Sequence, residues 1–266
     1  MTAPRIIAIT GASAGIGRAA ALRLARDGCA IAACARRADR LDALARDIAV
    51  AGGRALTVVA DVTSETQMTT FVERTVERFG GLDVMMCNAG FGICGAIDDI
   101  SPDQMRKLMD VNYFGTFHAA RAALAVFRRQ GRGHIVIVSS IVGKRGVPYM
   151  GGYSATKFAQ VGLAECLRSE VAGTNIHVSL VCPVSTSTEF VEVMTRETGS
   201  EVSQSAGPKQ SAEDVAEAVA RAIARPVPEV YLFFTSRGLV LLNAIAPGFT
   251  DRFVQKFGRK PVKRAG

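Results

Sequence analysis

Between Ser139 and Lys157 the chain reads SSIVGKRGVPYMGGYSATK, two adjacent serines followed by Tyr153 four residues before Lys157. On a helix, residues i and i+4 share a face, so the phenol and the ammonium project in the same direction. A cation held beside a phenol favours the phenolate and brings a pKa of about 10 down into working range, which makes the pair a proton donor and acceptor. Tyrosine and lysine at this spacing also occur on solvated helix faces. The rest of the chain has to decide.

A second stretch with chemical content is Thr10-Gly11-Ala12-Ser13-Ala14-Gly15-Ile16-Gly17, which follows the apolar run Ile6 to Ile9 and precedes an alanine-rich segment ending near Gly28. Strand, glycine turn and helix is the context in which such glycines let the backbone approach a pyrophosphate, met by free N–H groups and the positive end of the helix. The spacing is G-x-x-x-G-x-G rather than G-x-G-x-x-G. After the next apolar run, Ala30 to Cys34, come Ala35-Arg36-Arg37, and the first acid is Asp39. An acid near this point suits a ribose 2′-hydroxyl, whereas arginine suits a 2′-phosphate. The reading is NADP(H); the alternative is two solvated loop arginines.

The elements that must position these groups alternate. Helix Asp39 to Ala51 ends at Gly52-Gly53, strand Ala55 to Ala60 meets Asp61-Val62, helix Glu65 to Phe79 ends at Gly80-Gly81, and strand Val84 to Cys87 meets Asn88-Ala89-Gly90. Ser101-Pro102 opens a long helix to about Arg129 that contains Asn112, a poor helix former that must be exposed or held by a specific bond. Strand His134 to Val138, a helix through Glu170, strand Ile176 to Val181, helix Ala212 to Ala224 and strand Glu229 to Phe233 follow, and Val184 to Pro208 reads as a mobile flap. Near-continuous apolar strands alternating with helices predict an α/β, doubly wound, seven-stranded parallel sheet with helices on both faces, a single domain. In such sheets ligands lie beyond the carboxyl ends of the strands, where Gly11, Arg36, Asp61 and Asn88 fall.

Composition narrows the classes. With 48% hydrophobic and 21% charged residues over 266 positions, the chain is in the soluble globular range. Six cysteines without C-x-x-C spacing and three scattered histidines predict small core thiols in a reducing compartment and no metal site. The net charge of +8 comes mostly from six basic residues, with no acid, between Arg252 and Gly266, so a nucleic-acid partner is not expected. MTAPR runs directly into IIAIT, so no secretory signal is expected, and the longest apolar run, Gly238 to Phe249, is shorter than a membrane span. A cytoplasmic protein is the expectation.

Taken in order, Thr10-Gly11-x-x-x-Gly15-x-Gly17, Asp61, Asn88-Ala89-Gly90, Asn112, Ser140 and Tyr153-x-x-x-Lys157 resemble the classical short-chain dehydrogenase/reductase family over Ile6 to Phe233. The resemblance implies that Gly11, Ser13, Gly15, Ile16 and Gly17 wrap the pyrophosphate, that Asp61 and Val62 meet the adenine, and that Asn88, Ala89 and Gly90 shape the floor. It further implies that Arg36 and Arg37 select the 2′-phosphate and that Pro183, Thr186 and Thr188 border the cofactor. Carried over likewise, Asn112, Ser140, Tyr153 and Lys157 form a catalytic tetrad acting on a carbonyl or secondary alcohol. Tyr153 donates the proton, Ser140 hydrogen-bonds the oxygen, Lys157 favours the phenolate and also bonds the nicotinamide ribose, and Asn112 holds a water leading from Lys157 to solvent. Ser140 is chosen over Ser139 because it stands thirteen residues before Tyr153. A homodimer or homotetramer is implied as well.

One departure is Val184, which follows Pro183 where relatives usually have glycine and adds bulk beside the nicotinamide. Phe91, Ile93, Val142, Met150, Val184 and Phe190 fall in segments that line the substrate pocket in relatives and suggest an apolar or bulky carbonyl compound. Residues 238–266 extend past the usual family end as part of the same domain, and Phe249, Phe253 and Phe257 recur at i+4 with basic residues between them. That stripe packs on the domain or a dimer partner, or makes peripheral membrane contact through 249–264. The competing readings are an NADP-binding sensor without turnover and a membrane-peripheral reductase of a lipid carbonyl.

Overall fold

A computed structural model of the chain describes residues 4–199 and 209–257, with the side chains of Phe253, Lys256 and Phe257 left aside. Seven strands pair in parallel: β1 Ile6–Thr10, β2 Ala30–Ala35, β3 Arg54–Val59, β4 Val84–Cys87, β5 Arg132–Val138, β6 Asn175–Cys182 and, last in the chain, Glu229–Tyr231. Their order is β3-β2-β1-β4-β5-β6 and then Glu229–Tyr231. The central strands are apolar at nearly every position because both faces are covered; all six residues of β2 are buried.

One face carries α1 Gly15–Arg26, α2 Ala38–Val50 and a later helix, Ala212–Ala224. Leu24, Leu41, Leu44, Ile48 and Val219 close its core. The other carries α3 Glu65–Phe79 and the long helices between β4 and β6, with Met68, Phe71 and Phe127 fully buried. The chain winds from β1 out to β3, then crosses back to β4. The strand order therefore reverses between β1 and β4, and a crevice opens at their carboxyl ends.

Two segments differ from expectation. The long helix from Ser101 is three pieces, α4 Pro102–Leu108, a π-helical turn Met109–Phe114, and α5 Gly115–Gln130. The extra residue of the π turn belongs to a segment whose Asn112 is turned into the protein and fully buried, a distortion typical of functional sites. After α6 Gly151–Glu170 and β6, the chain from 184 is not structureless. The short strand β7 Thr186–Ser187 pairs in parallel with β8 Gln210–Ser211, and between them α7 Phe190–Thr198 anchors through buried Met194. Apolar Phe190, Val193 and Met194 recur at helical spacing and hold that turn down. The remainder of the expected flap, 200–208, lies outside the described residues.

Helix α8, Ala212–Ala224, starts with a capping box at Ser211 and Asp214, and β9, Glu229–Tyr231, completes the sheet. Two further helices follow, α9 Phe234–Ile245 and α10 Pro247–Phe257. Among the described residues no helix is long and apolar enough to cross a membrane.

Candidate active site

The crevice is built first from close backbone packing. Thr10 Oγ1, at the end of β1, accepts from the N–H groups of Asn88 (3.0 Å) and Ala89 (3.1 Å), and Asn88 Nδ2 donates back to the carbonyls of Thr10 and Gly11. These bonds staple the ends of β1 and β4. A Cβ on Gly17 would lie 2.5 Å from the Gly11 carbonyl oxygen and 2.5 Å from Asn88 Nδ2, and Gly11 itself sits at φ +67°. Only glycine fits at both. No side chain caps the start of α1, so its first N–H groups face the cavity that opens there.

That cavity, about 1160 Å³, runs from the glycine turn past Tyr153 to the C-terminal helices. Every catalytic or cofactor-binding residue expected at the site lines it except Gly17 and Asn112, which lie buried just behind the wall. The uncapped helix end, the glycine cradle and the length of the cavity fit a dinucleotide.

At the far end, Arg36 is exposed at the end of β2 and its Nη1 stands 3.8 Å from Asp61 Oδ2. Asp61 Oδ1 accepts from Thr63 N and Oγ1. Arg37 is already engaged: Nη2 donates to Ser13 Oγ at 3.0 Å and pairs with Glu189, the residue preceding α7. The guanidinium holds the Glu189 carboxyl below the usual carboxylate range. Glu189 was not legible in the sequence, because 152 residues separate it from Arg37.

The chemical end is organised by α6. Tyr153 and Lys157 both project inward, 7% and 3% exposed. Lys157 Nζ lies 5.6 Å from the Tyr153 ring centroid and donates to Val138 O and Gln160 Oε1, each at 3.0 Å. Burial lowers its pKa from 10.5 to about 7. An amine near neutrality behind a phenol is equipped to influence a proton transfer.

The adjacent serines separate cleanly. Strand β5 stops at Val138, yet Ser139 N still bonds Val181 O, and Ser139 Oγ is buried and donates to Lys157 O. Ser140 Oγ accepts from Val142 N and makes a long bond of 3.4 Å to Pro183 O. Ser139 thus braces α6, and Ser140 has a hydroxyl that a ligand oxygen can claim.

Asn112 is held as its burial requires. Oδ1 accepts from Phe91 N (3.0 Å), and Nδ2 donates to Phe91 O (2.9 Å) and Thr156 Oγ1 (3.0 Å). Its main-chain carbonyl accepts from Gln160 Nε2 (2.7 Å) and Thr116 Oγ1 (2.8 Å). In this structure the Gln160 side chain joins Asn112 O to Lys157. Sequence reasoning missed Gln160 and Thr116. The available signal was a polar residue on the buried face of α6, three residues beyond Lys157.

The apolar part of the cavity includes Phe91, Val142, Met150, Val184 and Phe190, and the Phe190 and Tyr153 rings meet at 5.6 Å. Ile93 does not reach it, being 1% exposed among Phe91 and Leu108 in the core beneath. Met194 of α7, Leu239 and Leu242 of α9 and Val254 of α10 complete the wall; none of these was singled out from the sequence. Burial pushes the Cys87 thiol up to about 12, and no group of ligating side chains able to hold a metal occurs among the described residues.

The sequence model described as short chain dehydrogenase matches residues 5–199. A 3-ketodihydrosphingosine reductase of Bacteroides thetaiotaomicron is 36% identical over 189 residues, 71% of this chain and 66% of that protein. An alcohol dehydrogenase from the archaeon Thermococcus sibiricus, complexed with 5-hydroxy-NADP, superposes with a TM-score of 0.76 at 30% identity, over 86% of this chain and 95% of that one. A short-chain dehydrogenase/reductase from Burkholderia phymatum in complex with NAD superposes at 0.83 over 99% of this chain and 98% of its own, and at 23% identity it speaks for the fold alone. The glycine turn, the dinucleotide crevice and the tyrosine–lysine face all fall within the matched region, and the chain belongs to the short-chain dehydrogenase family, oxidoreductases that work with a nicotinamide dinucleotide.

Proposed function

We propose that the protein interconverts an apolar or bulky carbonyl compound and its secondary alcohol using NADP(H), with Tyr153 as general acid and base. The observation that carries this reading is the buried Lys157 ammonium behind the Tyr153 ring, in a cavity continuous with the glycine turn.

A carbonyl oxygen that gains negative charge needs a proton and hydrogen bonds aimed at it. The Tyr153 O–H gives the proton, and the Ser140 O–H, exchanging its long bond to Pro183 O, steadies the same oxygen. Lys157 favours the phenolate that remains, and in the alcohol direction that phenolate takes the proton back. The N–H groups opening α1 hold the pyrophosphate, and Arg36 with Arg37 holds the 2′-phosphate. When bound, the nicotinamide supplies or accepts the hydride at the substrate carbon. The relative complexed with 5-hydroxy-NADP supports the choice of NADP(H).

NADPH consumption across aliphatic, cyclic and long-chain ketones tests the reading, with wild type beside Tyr153→Phe. Turnover that falls about 10²- to 10⁴-fold in the variant is the expected outcome. NADPH binding without turnover of any ketone would identify a cofactor sensor and overturn it.

A second reading is favoured by one surface. Phe234, Leu241, Ile245 and Phe249 are exposed on the outer side of α9 and α10, Phe234 at 90% and Ile245 at 83%, while Leu239, Leu242 and Val254 of the same helices wall the cavity. Arg237 and Arg252 are exposed beside them. This arrangement suits an enzyme resting on an anionic lipid surface and taking a lipid-chain carbonyl from it, a substrate class consistent with the name of the Bacteroides relative. The rest of the 249–264 stripe, from 258 onward, lies outside the described residues. A cytoplasmic location and a homodimer or homotetramer belong to the same proposal. Exposed Phe114, Phe117 and Phe158 supply apolar surface for self-association.

A further inference from the structure

Gln160 is a fully buried amide in the middle of α6, where an apolar residue would pack without needing partners. It has partners for all its polar groups. Oε1 accepts from Lys157 Nζ at 3.0 Å, and the two N–H groups of Nε2 are placed on Asn112 O at 2.7 Å and Thr116 Oγ1 at 2.8 Å. Thr116 Oγ1 in turn donates to Asn112 O at 2.8 Å. The amide therefore ties α6 to the π turn and to the start of α5, and its oxygen ends on the lysine.

We propose that Gln160 is a positioning residue for Lys157: it fixes the direction in which the ammonium points and supports its charged form. This rests on the reading that Tyr153 and Lys157 are the catalytic pair.

The geometry sets that direction. An ammonium has three N–H donors at tetrahedral angles. One goes to Val138 O and one to Gln160 Oε1, and two fixed bonds set the direction of the third, which is left for the cavity side where the Tyr153 ring lies.

The groups facing the ammonium are few. The Tyr153 phenol stands on its own helix, and the Cys182 thiol, raised to about 12 by burial, lies at the end of β6. Val138 of β5, Ser139 just beyond it, Asn112 of the π turn and Thr116 of α5 do not titrate. Among the described residues the oxygen of Gln160 is thus one of two neutral acceptors of the charged amine, and removing it favours the neutral form.

The test is the pH profile of carbonyl reduction by the full-length protein. With Gln160→Leu, the alkaline limb, which marks loss of the Lys157 proton, should move to lower pH by ~1 unit, a tenfold change in the ratio of charged to neutral lysine. With Gln160→Glu it should move to higher pH. Thr116→Val, which removes an anchor of the amide and leaves the Lys157 contact, should move it in the direction of Gln160→Leu by less. A merely structural role would lower the rate and leave the limb in place, and an unmoved limb in folded variants overturns the inference. Should Gln160→Leu fail to fold, Gln160→Met carries the same prediction. Tyr153→Phe separates the two levels. If it is inactive while the Gln160 variants leave the limb unmoved, this inference alone falls; if it turns over at the wild-type rate, the reading of the site falls and takes this one with it.

Discussion

Lys157 Nζ stands 5.6 Å from the centroid of the Tyr153 ring, and the acceptors it bonds, Val138 O and Gln160 Oε1, are both neutral. A buried cation without a carboxylate beside it is costly to keep charged, which is why its pKa falls to about 7. The unfolded chain holds this proton up to about pH 10.4. Between the folded and unfolded values the unfolded state binds more protons, so this group makes stability rise with pH. Relative to Lys157→Met, the wild type should gain on the order of 1 kcal/mol per pH unit between pH 7 and 9. Urea melts of the two proteins across that range measure it, and parallel curves would contradict the burial argument.

Arg37 cannot serve a 2′-phosphate without giving up something, because it bonds Ser13 and pairs with Glu189. Arg36→Ala combined with Arg37→Ala should weaken NADPH binding by about 10- to 100-fold and NADH far less, since the two charge-assisted bonds lost, both at solvent-exposed side chains, are together worth about 1.4–2.8 kcal/mol. Glu189→Gln should do the opposite and tighten NADPH a few-fold, by freeing the guanidinium and removing a like charge from the phosphate. Fluorescence titration with both dinucleotides decides; equal effects on NADPH and NADH would remove the arginines from the site.

Asn112 holds both main-chain polar groups of Phe91. Asn112→Leu leaves that buried N–H and carbonyl unmatched, and about 2–4 kcal/mol should be lost. The expected readout is a lower denaturation midpoint, with activity reduced at temperatures where the variant is still folded.

The exposed stripe on α9 and α10 should bring the protein to anionic vesicles at low salt. Ile245→Glu and Phe249→Glu place charges on an outer face away from the cavity wall and should cut sedimentation with such vesicles about tenfold, leaving turnover of a water-soluble ketone unchanged. Failure of the wild type to sediment would leave the face to a second copy of the chain.

The sequence determined a great deal of this. Apolar runs at β1, β2, β4 and β6, alternating with helical segments, read as strands buried on both faces, and glycines at 11, 15 and 17 between a strand and a helix are tied to a short-range geometry that a linear pattern encodes. Tyr153 and Lys157 were legible for the same reason, since helical spacing converts separation in sequence into a shared face. Local rules ended there. That Asn112 sits on a π turn, that Arg37 faces Glu189, and that Gln160 closes the space behind Lys157 are contacts between elements far apart in the chain, settled by how the helices pack across the sheet. The pocket divides in the same way: Phe91 and Met150 were expected at it, but Ile93 turned into the core, and Leu239, Leu242 and Val254 entered from helices whose apolar residues carry no mark of which surface they cover. Side-chain type and spacing name the groups that do chemistry; packing alone decides what stands next to them.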